Sequence, residues 1–206
     1  KIDLSMERLS DFHYLLNNFF VVDPNTTVDG SQINASTFLG DSLTLEEDSS
    51  VPQILIYHTH SQEAFKDSGP QGRTIVEVGD YLAELLTQKG YRVYHDTSVY
   101  DLQSGVLDRS KAYNYALEGV NRILQQNPSI QVVLDLHRDG VSENLHMVSD
   151  INGKPTAQIM FFNGLSRTPE GKIAYLPNPY LAENLAFSLK MQLGAQAYFP
   201  GFARKI

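Results

Sequence analysis

The sequence predicts an α/β fold in which helices flank a mostly parallel sheet. Three short segments, residues 54–57, 91–94 and 130–136, carry the apolar and aromatic side chains expected of strands. Between them lie a helix that begins near residue 74 and a helix over residues 108–126, both with the spacing of amphipathic helices. Strands and helices that alternate in this order form parallel sheets, because each connection crosses over one face of the sheet.

The first strand and the first helix have the clearest signals. Residues 54–57 read Ile-Leu-Ile-Tyr, an uninterrupted apolar run that is typical of a strand buried on both faces. Thr74 and Glu77 have the spacing of a capping box, so we expect the helix to begin there. Gly90 occupies a position where a helix ends and the chain turns, and residues 91–94 follow as the second strand. The apolar face of the helix is formed by Ile75, Val78, Leu82, Leu85 and Leu86.

The second half of the chain adds a hairpin and a last helix. The helix over 108–126 is expected to stop at Asn127-Pro128, before the third strand. Residues 145–151 and 156–162 flank Asn152-Gly153, a dipeptide that favours the type I′ turn of a β-hairpin. A final helix is predicted over residues 179–195.

Residues 1–50 are predicted to form a separate N-terminal lead-in to the main domain over residues 51–206. One short helix is expected near the start, with a strand over residues 19–22 after it. Residues 23–50 are polar and rich in Gly, Ser and Asn, which indicates a loop with small strand pieces. The acidic run over 46–48 at its end is expected to be a solvated linker. The face of the first helix comprises Leu4, Leu9, Phe12, Leu15 and Leu16.

The composition limits the possible partners and chemistry. The 206 residues carry a formal net charge of -8, with a sequence pI of about 5.1, which disfavours binding to nucleic acids or anionic membranes. No apolar run approaches the ~20 residues that a membrane-spanning helix needs. The chain contains no cysteine, so any metal site must be built from His, Asp and Glu side chains.

Histidines follow the first and third predicted strands directly. His58, His60 and Glu63 come after the first strand, and His137 comes after the third. The carboxyl ends of parallel strands lie at one edge of the sheet, where open α/β folds bind their ligands. We therefore expect these side chains to meet at that edge.

The residue types at this edge indicate metal-dependent hydrolysis. The spacing His60-x-x-Glu63 allows one loop to bring an imidazole and a carboxylate onto one ion. With His137 added, the set is the His₂Glu group of zinc hydrolases that act on amides, with a fourth position left for water. Such an ion polarises the scissile carbonyl and lowers the pKa of its water toward ~7. His58 is an alternative to His60 as the first ligand, and the sequence leaves both open.

Neighbouring polar residues complete the predicted site. Asp135 is expected either to orient a ligand histidine or to pair with a backbone group. Arg138, Asp139 and Asn184 are candidates for substrate contact. The remaining histidines are expected to lie away from both clusters and to have structural roles: His13, His95 and His146.

These motifs resemble those of a known family. The segment over 56–65, which contains His-Thr-His-Ser-Gln-Glu, and the segment Asp-Leu-His-Arg-Asp over 135–139 are similar to the family of stage II sporulation protein P. Three shorter motifs share this resemblance: Val78-Gly79-Asp80, Met160-Phe161-Phe162-Asn163-Gly164 and Phe199-Pro200-Gly201. The resemblance extends over about residues 52–206.

The resemblance implies an N-acetylmuramoyl-L-alanine amidase that also has endopeptidase activity and acts on peptidoglycan during forespore engulfment. It implies zinc as the cofactor and a zinc amidase-like fold. The implied partners are the lytic transglycosylase stage II sporulation protein D and the membrane protein stage II sporulation protein M. The implied location is extracytoplasmic, at the septum between forespore and mother cell, with a membrane anchor in a segment upstream of Lys1.

The family pattern also places its general acid/base outside this chain. Members continue with a strand that carries a glutamate in an Ile-Glu-Val-Gly context, similar to the general acid/base of related amidases. We therefore expect the domain over 51–206 to be incomplete at its C-terminal end, with this glutamate beyond Ile206. Two other functions fit the residues: a zinc carboxypeptidase-like peptidase, suggested by His-Ser-Gln-Glu, and a non-catalytic domain that binds the cell wall.

Overall fold

The computed structural model describes residues 2–45, 50–66, 68–69 and 72–206. These residues group into two compact units. The central unit is Leu45–Ser142, and the terminal unit combines Lys1–Thr44 with Glu143–Ile206. The start of the chain thus packs with its end, whereas the sequence was divided into a lead-in over 1–50 and a domain over 51–206. The acidic run predicted as a linker, residues 46–48, lies outside the described residues.

The described part of the chain contains both helices and strands. In chain order the elements are α1 (Met6–Leu9), α2 (Phe12–Phe19), α3 (Ala35–Gly40), β1 (Ile54–Tyr57), α4 (Ile75–Gln88), β2 (Val93–His95), β3 (Leu102–Gln103), β4 (Val106–Leu107), α5 (Arg109–Gln126), β5 (Val132–Asp135), β6 (Val148–Ile151), β7 (Lys154–Ala157), β8 (Arg167–Thr168), β9 (Gly171–Lys172) and α6 (Leu181–Tyr198).

A parallel sheet forms the centre of the central unit, as predicted. Among the described residues it has three strands in the order β2-β1-β5. Ile56 of β1 pairs with His95 on one side and with Leu134 on the other. As the middle strand, β1 is the best buried, and its Leu55 packs against Val120 and other apolar residues of α5. The carboxyl ends of all three strands therefore lie at one edge of the sheet.

The predicted helix boundaries of the central unit are confirmed. Thr74 and Glu77 form a complete capping box at the start of α4. Gly90 has a φ of 94°, the left-handed conformation that ends a helix. At the start of α5, the Asp108 side chain accepts a hydrogen bond from the Lys111 N–H at 3.1 Å.

The terminal unit has a helical core and a hairpin. The buried apolar residues of the core include Leu15, Phe38 and Leu189 on α2, α3 and α6. The hairpin of β6 and β7 turns at Asn152 and Gly153, whose φ angles of 54° and 78° are both positive. Positive values at both central positions define the predicted type I′ turn.

Two predictions for the start of the chain are wrong. Phe19 is the last residue of α2 rather than the first of a strand, and residues 20–22 form no strand. Residues 23–50 contain the helix α3, whereas the prediction had only loop and strand pieces. Asn34 caps this helix by accepting a hydrogen bond from the Thr37 N–H at 3.1 Å. Helix caps and loops favour the same polar amino-acid types, so this segment was predicted as loop although it contains a helix.

The segment predicted as one N-terminal helix forms two. Asp11 begins α2 by accepting a hydrogen bond from the Tyr14 N–H at 2.7 Å, so the chain turns after α1. Two small hairpins, β3–β4 and β8–β9, were not predicted. Their strands have two residues each, which is too short to show an alternating pattern.

Candidate metal centre

Three predicted metal-ligating side chains meet at the carboxyl edge of the central sheet. Each of His60, Glu63 and His137 offers one ligand atom, and these atoms all lie within 4.8 Å of one another. The Nδ1 atom of His60 is 3.7 Å from Oε1 of Glu63. Two ligands of one tetrahedral zinc ion are about 3.4 Å apart, so a small shift would suffice to place both on it.

One hydrogen bond fixes the orientation of the first histidine, His60. The Nε2 atom of His60 donates to the carbonyl oxygen of Arg109, the first residue of α5, at 3.3 Å. Because a carbonyl can only accept, the proton of the neutral ring sits on Nε2. The lone pair of Nδ1 is therefore available on the side that faces Glu63.

Glu63 is held in place by both its side chain and its backbone. Its side chain is buried, and Oε2 accepts a hydrogen bond from the Arg138 N–H at 2.9 Å. Its carbonyl oxygen accepts a hydrogen bond from the N–H of Ile75 at the start of α4, also at 2.9 Å. The remaining oxygen, Oε1, lies toward His60 and is 4.0 Å from Nη1 of Arg109.

Asp135 contacts both His137 and a backbone N–H, which are the two roles predicted for it. Its Oδ2 atom is 2.8 Å from Nε2 of His137. Thr59 fixes the carboxylate in turn, since its hydroxyl donates to Oδ2 at 2.6 Å and its N–H donates to Oδ1 at 2.9 Å. With Nε2 engaged by Asp135, Nδ1 is the nitrogen of His137 that could bind a metal ion.

The contact between Asp135 and His137 changes the pKa of both groups. The hydrogen bond to Asp135 raises the pKa of His137, because the carboxylate stabilises the protonated ring. Burial alone would raise the pKa of Asp135. The hydrogen bonds from His137 and Thr59 outweigh this effect and hold the pKa of Asp135 below its usual value.

His58, the alternative ligand, has hydrogen bonds at both ring nitrogens. Its side chain is fully buried, its Nδ1 donates to the Leu136 carbonyl at 2.9 Å, and its Nε2 is 2.8 Å from Nε2 of His95. Burial lowers the pKa of His58. The ring of His95 is fixed from its other side by Asp80, whose Oδ1 is 2.9 Å from Nδ1. The prediction that His95 lies away from the site histidines is therefore wrong.

Gly79 of α4 lies against this histidine pair. A Cβ atom at position 79 would come within 2.6 Å of Nε2 of both His58 and His95, closer than real Cβ contacts occur. The helix can approach the two rings only because this residue has no side chain.

Of the three residues predicted to contact substrate, two lie in the central unit and one lies in the terminal unit. Arg138 lies beside Glu63, to which its backbone N–H donates a hydrogen bond. Its Nη1 donates to the Asp139 carbonyl at 3.3 Å. Asp139 is exposed. Asn184 is exposed on α6, which belongs to the terminal unit.

Two residues of α5 border the group but were not singled out from the sequence. The ring of Tyr113 packs edge-on to His60, with 5.2 Å between centroids, and stacks with His137 at 6.5 Å. Arg109 contributes its carbonyl to His60 and its guanidinium to the vicinity of Glu63. Both side chains are more than half exposed, at 57% and 54%. The one sequence signal that could have linked Arg109 and Tyr113 is their spacing of four residues, which places both on one face of the predicted helix.

The fold and these side chains define a parallel α/β domain with a His–Glu–His group suited to a metal ion at the carboxyl edge of its sheet. The family described as stage II sporulation protein P matches residues 21–206, which is most of the chain. The chain belongs to this family, whose members are generally peptidoglycan hydrolases of sporulation. Comparisons with curated proteins and with solved structures returned no match. None of the described helices combines the length and hydropathy needed to cross a bilayer.

Proposed function

We propose that this protein is a zinc-dependent amidase that cleaves the bond between N-acetylmuramic acid and the L-alanine of the stem peptide. The observation that carries the proposal is the convergence of His60, Glu63 and His137, each with a hydrogen bond that leaves one ligand atom available. Membership in a family of sporulation peptidoglycan hydrolases supplies the substrate class. The parallel sheet is compatible with a zinc amidase-like fold.

The residues of the site have separate tasks in this proposal. His60, Glu63 and His137 hold the ion, which when bound polarises the scissile carbonyl and activates water. Asp135 keeps the proton of His137 on Nε2, so that Nδ1 presents its lone pair. The Arg138 N–H occupies Oε2 of Glu63 and leaves Oε1 for the ion. Tyr113 forms one wall of the site. Arg138 and Asp139 are proposed to contact substrate.

The family match motivates the cellular setting that we propose. We propose that the protein acts at the septum between forespore and mother cell during engulfment, held there by a membrane anchor. Stage II sporulation proteins D and M are its proposed partners. Endopeptidase activity is a proposed second reaction at the same site.

Analysis of the products released from purified peptidoglycan tests the reaction. The substrate is incubated with zinc-loaded protein, and the fragments are identified by mass spectrometry. We expect free, intact stem peptides that begin with L-alanine, together with glycan that has lost its peptides. Shortened stem peptides still attached to glycan would instead indicate a carboxypeptidase-like enzyme. Binding to the wall without any product would indicate a non-catalytic domain.

Zinc content distinguishes the two candidate histidines. We expect about one zinc per chain in the wild-type protein, and none in the variant His60→Ala. The variant His58→Asn is expected to retain zinc, because both nitrogens of His58 already have hydrogen bonds and the asparagine amide can still donate to the Leu136 carbonyl. Elemental analysis of the purified variants gives the answer. Retention of zinc by His60→Ala together with its loss in His58→Asn would reverse the assignment.

A further inference from the structure

Asp101 is a buried acidic residue of the central unit that has no part in the site as described so far. It lies between β2 and β3, and 0% of its surface is exposed. A carboxyl group is stable in such a place only if hydrogen bonds replace the water that it has lost. Its hydrogen-bond partners therefore indicate its role.

Both carboxyl oxygens of Asp101 bind the two residues between His60 and Glu63. The hydroxyl of Ser61 donates to Oδ1 at 2.8 Å, and the N–H of Gln62 donates to Oδ2 at 3.1 Å. Ser61 is itself almost fully buried, and the side-chain amide of Gln62 donates to its hydroxyl at 3.2 Å. One carboxyl group thus fixes the middle of the loop that carries two of the three proposed zinc ligands.

The backbone of Asp101 connects the same loop to α5. Its carbonyl accepts a hydrogen bond from the N–H of Asp108, the N-cap residue of α5, at 2.8 Å. The next residue, Arg109, supplies the carbonyl that orients the ring of His60. Asp101 therefore fixes both the loop and the helix end against which the first ligand is oriented.

We propose that Asp101 is a positioning residue of the metal centre, which holds His60 and Glu63 ready for a single ion. This inference rests on the proposed zinc function. Without the carboxyl group, the ion itself would have to order the loop between its two ligands, and the loss of chain entropy would weaken binding. Removal of groups that support metal ligands typically lowers metal affinity about ten- to 100-fold, and we expect a loss in this range.

Three variants of the full chain separate positioning from general stability. Asp101→Ala removes both hydrogen bonds and is expected to weaken zinc binding about ten- to 100-fold. Asp101→Asn is expected to stay near the wild-type affinity, because its amide oxygen can accept from Gln62 while its NH₂ group donates to the Ser61 hydroxyl. Ile123→Ala is the matched control: it truncates a buried side chain near the other end of α5. It should lower the melting temperature and leave zinc affinity unchanged.

Two measurements give the answer. Competition with a coloured chelator gives the zinc dissociation constant, and the visible absorption of the cobalt(II)-loaded protein reports the geometry of the ligands. We expect an altered cobalt spectrum for Asp101→Ala alone. An unchanged affinity and spectrum in Asp101→Ala, or an equal loss of affinity in Ile123→Ala, would overturn the proposed role.

If Asp101→Ala does not fold, the variant Ser61→Ala can be measured in its place. The zinc binding of the wild-type protein separates failure of the zinc proposal from failure of the positioning role. Ser61→Ala removes one of the two hydrogen bonds and should weaken zinc binding by a smaller factor, whereas wild-type affinity in this variant would contradict the role. If wild-type protein binds neither zinc nor cobalt, the proposed function falls together with this inference. If it binds zinc and Asp101→Ala binds equally well, the positioning role falls alone.

Discussion

Replacement of His137 by alanine is expected to remove bound zinc and to reduce peptidoglycan cleavage by about three orders of magnitude or more. The reason is that, in the proposed mechanism, the ion lowers the pKa of the attacking water to about 7. The fold should survive, because the His137 side chain is 31% exposed and Asp135 keeps both of its hydrogen bonds from Thr59. Zinc content, release of soluble wall fragments and the melting temperature are measured together.

A second histidine provides the matched control for this prediction. His146 is exposed and belongs to the terminal unit, so His146→Ala should keep its zinc and its activity. Full wall cleavage by His137→Ala would remove this residue from the catalytic centre. Loss of activity in His146→Ala to the same extent would show that the assay responds to any histidine substitution.

Replacement of Gly79 by alanine is expected to destabilise the protein, although alanine is the better helix former. In an unobstructed helix the change would stabilise by up to about 1 kcal/mol. Here the added Cβ would lie 2.6 Å from the His58 and His95 nitrogens, and His58 is fully buried and cannot move aside. We expect the free energy of unfolding to fall by about 1–3 kcal/mol through overpacking.

Gly194 offers a control with the opposite sign. It lies inside α6, and among the described residues nothing would come within 4 Å of a Cβ there. Urea denaturation of both variants should show Gly194→Ala as stable as the wild type or more stable, and Gly79→Ala as less stable. A gain in stability for Gly79→Ala would mean that α4 does not pack closely on the histidine pair.

Local signals in the sequence were sufficient to predict the parallel strands of the central unit and the two helices between them. The apolar run of β1 and the capping box at Thr74 and Glu77 each depend on a few neighbouring residues, and both were found where expected. Parallel pairing then follows from the alternation of strands and helices, and it brings His60 and His137 to one edge. The helix that begins after Asn34 was not predicted, because asparagine is common both at helix N-caps and in loops.

The details of the site depend on register, which the sequence did not provide. The predicted second strand stopped at Tyr94, one residue short of His95, and so the pairing of His95 with Ile56 beside His58 was missed. The choice between His58 and His60 depends on which ring nitrogens already have partners. That is a property of side-chain packing between β1, β2 and β5 rather than of spacing.

The proposed ligands lie at the two ends of a long stretch of chain that contains α4, β2 and α5. An ion bound by both His60 and His137 would cross-link the two ends of that stretch into a closed loop, as a disulfide bond does in proteins that contain cysteine. In the chain-entropy treatment, a cross-link over a loop of this size lowers the entropy of the unfolded chain by an amount equivalent to about 4.5 kcal/mol. In a chain without cysteine, the metal centre proposed for catalysis would also stabilise the pairing of β1 with β5.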